Sequence, residues 1–134
     1  MAKPGIISRS VLVVDDEPVV CDAVRMMLLF DGHKVETANN AKDALEKFDK
    51  GAFDIVITDF SMPGIKGDEL AGAIKARAPG QPVIMITAYA EMLELSNSQL
   101  KGVDELISKP FLLDNLRQAM ARVMAGPANT PNKT

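Results

Sequence analysis

Five residues able to do chemistry stand where short apolar runs end. "VLVV" at 11–14 delivers the chain into Asp15 and Asp16, "FDIVITD" ends on Asp59, "VIMIT" on Thr87 and "LISK" on Lys109. If these runs lie side by side, three carboxylates, a hydroxyl and an ammonium share one rim. Two unit charges ~4 Å apart repel by about 4 kcal/mol at an effective dielectric near 20, so the carboxylates need a proton or a cation. Magnesium suits such a place because it takes one or two carboxylates, keeps several waters and leaves room for phosphate oxygens, with Mn2+ as the alternative ion. Hard oxygen donors, in a chain with one His and one Cys, argue against zinc. A cation beside a carboxylate, a hydroxyl and a lysine is the equipment of phosphoryl transfer, which depends on positioning and charge neutralisation. Asp59 is then the nucleophile that becomes an aspartyl phosphate. Lys109 offsets the incoming negative charge, and the Thr87 hydroxyl donates to a phosphoryl oxygen.

The elements that would position these groups are legible in the pattern. The runs at 11–14, 55–57 and 83–86 are too short for helices and rich in branched aliphatics, as expected of parallel strands buried on both faces. "KVETA" at 34–38 and "VDELIS" at 103–108 mix polar and apolar residues, as strands nearer an edge do. Between them lie helical patterns. One opens at Pro18, carries Val20, Val24, Met27 and Leu28, and stops near Gly32. A second starts from Asn40 as cap, runs over Ala41, Ala44, Leu45 and Phe48, and stops at Gly51. A third spans about Gly67 to Arg77, and the last uses Leu113, Leu116, Met120 and Val123. The stretch "EMLELSNSQL" is a poorer helix, because Ser96, Asn97 and Ser98 compete for backbone hydrogen bonds, and a short or mobile element is expected there. Five strands alternating with helices imply an α/β domain, an open parallel sheet covered on both faces with right-handed crossovers. Ligands of such sheets bind beyond the carboxyl ends of the strands, where the five residues fall.

Composition narrows the function. A chain of 134 residues that is 47% hydrophobic fits one globular domain. Residues 9–125 are expected to form it, with a flexible segment at 1–8 and a disordered tail at 126–134. A net charge of -3 argues against direct nucleic-acid binding. No apolar run reaches the ~20 residues that span a bilayer, and "MAKPGIISRS" lacks a signal-peptide core, so a cytoplasmic protein without membrane contact is expected. Cys21 reads as a packing residue rather than a redox sensor, His33 as a helix-end residue rather than a ligand, and the eight methionines as core filler, Met92 excepted as a candidate partner contact.

The acidic pair after the first strand, "TDFSMPG" after the third, "TAY" after the fourth and "KPF" after the fifth resemble a response-regulator receiver domain of two-component signalling, of the chemotaxis-regulator kind. The resemblance covers roughly residues 9–125 and rests on five separately placed positions. It implies a flavodoxin-like fold with strand order 2-1-3-4-5 and makes Asp59 the phosphoacceptor. It makes Asp16 and Asp59 side-chain ligands of magnesium, has Asp15 act largely through water, and adds the backbone carbonyl of Ser61. Thr87 and Lys109 contact the phosphoryl group, and the Lys109-Pro110 bond is cis. The implied donor is a sensor histidine kinase or a histidine phosphotransfer protein. The implied receiver of the signal is an effector protein or output domain, reached through the face around residues 89–120, with the chain a monomer or a phosphorylation-dependent dimer. It is a switch and not a true enzyme, limited to self-catalysed phosphotransfer and slow autodephosphorylation.

One position departs from the pattern. The family usually carries Tyr or Phe three residues before the lysine, and here Leu106 stands there. Readout is therefore expected to pass through Tyr89 and the segment 91–102. Singly, each residue has a plainer reading: Asp15 and Asp16 as helix-capping acids, Asp59 as a turn residue, Thr87 and Lys109 as ordinary strand-end groups. As a set at matching strand ends, they favour the phosphoryl site. The rival functions are a magnesium-dependent phosphohydrolase, which places two aspartates as D-x-D where this chain has "DDE", a flavodoxin-like cofactor carrier, whose phosphate loop offers N-H groups rather than carboxylates, and a degenerate receiver used only for docking.

Overall fold

The computed structural model describes residues 7–125. Ten elements alternate: β1 (Ser10–Val14), α1 (Pro18–Phe30), β2 (Lys34–Ala38), α2 (Ala41–Lys50), β3 (Ile55–Asp59), α3 (Gly67–Arg77), β4 (Val83–Ala88), α4 (Tyr89–Met92), β5 (Glu105–Lys109) and α5 (Leu113–Ala125). The strands form one parallel sheet in the order β2-β1-β3-β4-β5. The open α/β architecture and its strand order are those expected.

Period-two alternation along the strands sorts the core into two layers. Val11, Val13, Ile55, Ile57, Ile84, Ile86 and Ile107 face Cys21, Val24 and Leu28 of α1 and Leu116, Ala119 and Met120 of α5. Leu12, Val14, Val56 and Val83 face Ala41 and Ala44 of α2 and Leu70, Ala71 and Ile74 of α3. The three central strands, buried on both faces, are thereby fixed at the middle of the molecule, and their carboxyl ends with them. Cys21 is a core residue, as expected.

Two boundaries differ from the sequence reading. β5 begins at Glu105 rather than at 103, because the Asp104 carboxylate takes the Val83 amide at 2.8 Å and the Lys75 ammonium at 2.7 Å, clamping the strand entrance with a side chain. The expected helix within 91–100 is instead the single turn α4, set earlier at Tyr89–Met92 and followed by turns. Beyond it the Gln99 side chain accepts from the Ser96 amide at 2.9 Å, and the Ser96 and Ser98 hydroxyls bond each other at 2.9 Å. The Gln99 side chain has taken the Ser96 amide that a continuing helix would need. Of the expected flexible segment, residues 1–6 lie outside the described residues, while the Ser8 hydroxyl donates to the Gly32 carbonyl at 2.9 Å. The expected tail at 126–134 is also outside them. Among the described residues no helix is long and apolar enough to cross a membrane.

Candidate functional site

The register brings the strand ends together. Val14 pairs with Thr58 and Asp59 with Ile86, so Asp15 and Asp16 leave β1 beside Asp59, and Thr87 follows on the next strand. Ala88 pairs with Lys109, which completes the rim on β5. Carboxylate oxygens of Asp15, Asp16 and Asp59 lie within 4.8 Å of one another. Lys109 Nζ stands 2.9 Å from Asp59 Oδ1. The four charged residues foreseen from strand ends are thus one cluster, with Thr87 adjoining it.

Local structure explains how β3 delivers Asp59. Phe60 donates its amide to the Ile86 carbonyl at 2.9 Å, and the Phe60 carbonyl accepts from Gly67, the first residue of α3, at 2.9 Å. The loop between turns through Gly64 at φ 76°, a left-handed conformation that glycine tolerates. Gly67 is needed for space: a Cβ there would sit 2.3 Å from the Asp59 carbonyl oxygen. The Lys109-Pro110 peptide is cis, as the resemblance implied.

The electrostatics are those of a site with too much negative charge. Burial pushes the Asp15 carboxyl up to about 6, against the pull of a hydrogen bond from the Glu17 amide at 2.9 Å, and repulsion by Asp59 adds to the rise. Burial likewise raises Asp59, although the Lys109 ammonium opposes it. Lys109 is pulled down by burial, but its bond to and attraction by Asp59 outweigh this and raise it. Asp59 Oδ1 is buried, and the charge-assisted contact with the Lys109 ammonium at 2.9 Å is the one polar contact it makes among the described residues. An under-coordinated carboxylate oxygen beside two other carboxylates is the donor set of a hard divalent cation, and the residues fit magnesium.

Thr87 is fully buried, with Oγ1 3.4 Å from its neighbour's carbonyl at Ala88 and 3.3 Å from Oε1 of Glu91. The sequence reading missed Glu91. The same oxygen accepts from the Ala88 amide at 3.1 Å, and hydrogen bonding from the Ser61 side chain, ahead of the Ala88 and Thr87 bonds, holds this carboxyl below the usual range. An acid three residues after Ala88, at the start of a helix, was the available signal. Ser61 itself is exposed. Leu106 pairs with Met85 and is half-buried. Tyr89 opens α4, and its side chain lies outside what the structure describes.

A doubly wound sheet with an acidic, lysine-bearing rim at its carboxyl edge is the architecture of a phosphorylation-activated signalling switch. The chain belongs to that class: residues 11–121 match the family described as response regulator receiver domain. The transcriptional regulatory protein TrcR of Mycobacterium tuberculosis is 32% identical over 106 residues, covering 79% of this chain and 41% of the relative. The virulence sensor protein BvgS of Bordetella pertussis is 38% identical over 134 residues, 95% of this chain and 11% of the relative. The chain thus spans less than half the length of either. Among solved structures, the response regulator TrrA of Thermotoga maritima in complex with Mg(2+)-BeF superposes with a TM-score of 0.79 at 35% identity, covering 86% of this chain and 98% of that one.

Proposed function

We propose that Asp59 is the phosphoacceptor of this switch, charged by a sensor histidine kinase or a histidine phosphotransfer protein. The observation that carries the reading is Asp59 Oδ1, buried, flanked by two carboxylates and faced by the Lys109 ammonium at 2.9 Å. In the transfer, an Asp59 oxygen forms a bond to phosphorus as the donor's nitrogen–phosphorus bond breaks, and the released imidazole takes up a proton. Lys109 follows the charge from the carboxylate to the phosphoryl oxygens. The Thr87 hydroxyl donates to one of those oxygens.

Asp16, Asp59 and the backbone carbonyl of Ser61 would hold magnesium, with Asp15 contributing through water. When bound, the ion offsets the charge on the phosphoryl oxygens; Mn2+ would serve in its place. Readout passes from Thr87 to Tyr89, the turn α4 and the segment 91–102. With Leu106 at the usual aromatic position, no ring swings inward. The altered face around residues 89–120 then meets an effector or output domain, or a second copy of the chain.

Intact-mass measurement after incubation with acetyl phosphate and magnesium tests this reading. The expected result is a gain of one phosphoryl group, absent in Asp59→Asn and abolished by chelator. An unmodified wild-type chain, or undiminished uptake by the variant, would reject it.

A further inference from the structure

Glu91 lies outside every motif that identifies the site, yet its carboxylate joins two segments of it. Oε1 accepts from the Thr87 hydroxyl at 3.3 Å and from the Ala88 amide at 3.1 Å. It therefore ties the end of β4 and the turn α4 into one arrangement. The Thr87 hydroxyl has a single proton to give, and of the two acceptors within its reach, Glu91 Oε1 at 3.3 Å and the Ala88 carbonyl at 3.4 Å, the carboxylate is the charged and stronger one. While it is given to Glu91, no oxygen on Asp59 can receive it.

We propose that Glu91 is a positioning residue, a latch that holds the Thr87 hydroxyl away from Asp59 in the unphosphorylated state and is displaced when a phosphoryl oxygen takes that proton. This rests on the reading of Asp59 as acceptor. Release follows from two changes. The phosphoryl group competes for the proton as a stronger, charged acceptor, and its negative charge repels the Glu91 carboxylate. Once Glu91 lets go, it also frees the Ala88 amide, so a local exchange of hydrogen bonds loosens α4 and the turns behind it. The plainer role is that of a helix cap, since reaching back three residues to the Ala88 amide is half of a capping box. A cap does not require Thr87 as a second donor, and the two roles separate experimentally.

The test is titration of the whole chain with beryllofluoride in saturating magnesium, followed by amide chemical shifts of residues 91–102, in wild type, Glu91→Gln, Glu91→Ala and Asp59→Asn. Removing a charged acceptor that binding must break should tighten beryllofluoride binding about tenfold in Glu91→Ala and less in Glu91→Gln. Before any ligand is added, the same amides should move toward their bound positions. In a Thr87→Ala background the gain should shrink. Wild-type affinity and wild-type shifts in both variants would overturn the latch. So would an effect confined to Glu91→Ala, which marks a lost cap, or an equal gain with and without Thr87, which marks repulsion alone. If the wild type itself binds no beryllofluoride, or Asp59→Asn binds it equally, the acceptor reading fails instead, and the latch with it.

Discussion

Asp31 and Asp59 are both nearly inaccessible, at 2% and 4% exposure, and each faces a cation from a distant part of the chain. Asp31, at the end of α1, receives the Arg117 guanidinium as a fork, with Nε on Oδ2 and NH2 on Oδ1, each at 2.7 Å. Asp59, at the opposite end of the sheet, receives a single ammonium on Oδ1, which has no other hydrogen-bond partner among the described residues. The first pair is matched in charge and geometry, and bidentate pairing of this kind fixes a helix end. The second sits among carboxylates that one lysine does not neutralise. Complete compensation marks the structural end of the molecule, and incomplete compensation marks the end prepared for further charge.

The sharpest way to break that comparison is chemical. Acetyl phosphate should modify Asp59 and leave Asp31 untouched, so peptide mapping of modified Asp59→Asn should find no phosphoryl group on either position. Thermal melts come next. Arg117→Met strands a buried carboxylate and should lower the melting midpoint by roughly 5–10 °C, with Asp31→Asn costing about half as much because Arg117 reaches solvent. Asp59→Asn should have the opposite sign. Without divalent ions it should raise stability by roughly 1 kcal/mol, relief of repulsion being partly offset by loss of the ion pair. A loss of stability there would show that Asp59 is as fully compensated as Asp31.

The last effect is in pH. A carboxyl raised from 3.8 to about 6, as at Asp15, binds its proton more tightly folded than unfolded. The metal-free chain should therefore lose stability as pH rises from about 4 to about 6, by at most about 1.4 kcal/mol per pH unit from this group, and level off above. Urea midpoints in chelator measure the slope, and Asp15→Asn should flatten it. Saturating magnesium should reverse it, because a metal binds the deprotonated site.

How much of this was readable beforehand follows from range. The apolar runs of β1, β3 and β4 and the residues at their ends are local signals, so the sheet and the cluster of Asp15, Asp16, Asp59 and Lys109 could be anticipated. The fork between Asp31 and Arg117 joins residues 86 positions apart through the packing of α1 against α5, which no local pattern encodes. His33 was expected at a helix end, but its Nδ1 also accepts from the Arg9 amide at 3.0 Å, a contact made across the entrance to β1. The competition by serines that keeps α4 short is a local signal, but its earlier start is not: the Glu91 carboxylate reaches back to the Ala88 amide and draws the turn onto the end of β4. Glu91 was hidden for a related reason: its partner Thr87 had been assigned a role toward the phosphoryl group alone.

The glycine that opens α3 has a mechanical corollary. With only 2.3 Å between an added methyl and the Asp59 carbonyl oxygen, the strand end and the helix start already touch. The backbone that carries the proposed acceptor is thus wedged against the start of α3, so any side chain at position 67 would push the strand end aside and carry the carboxylate out of line with its donor.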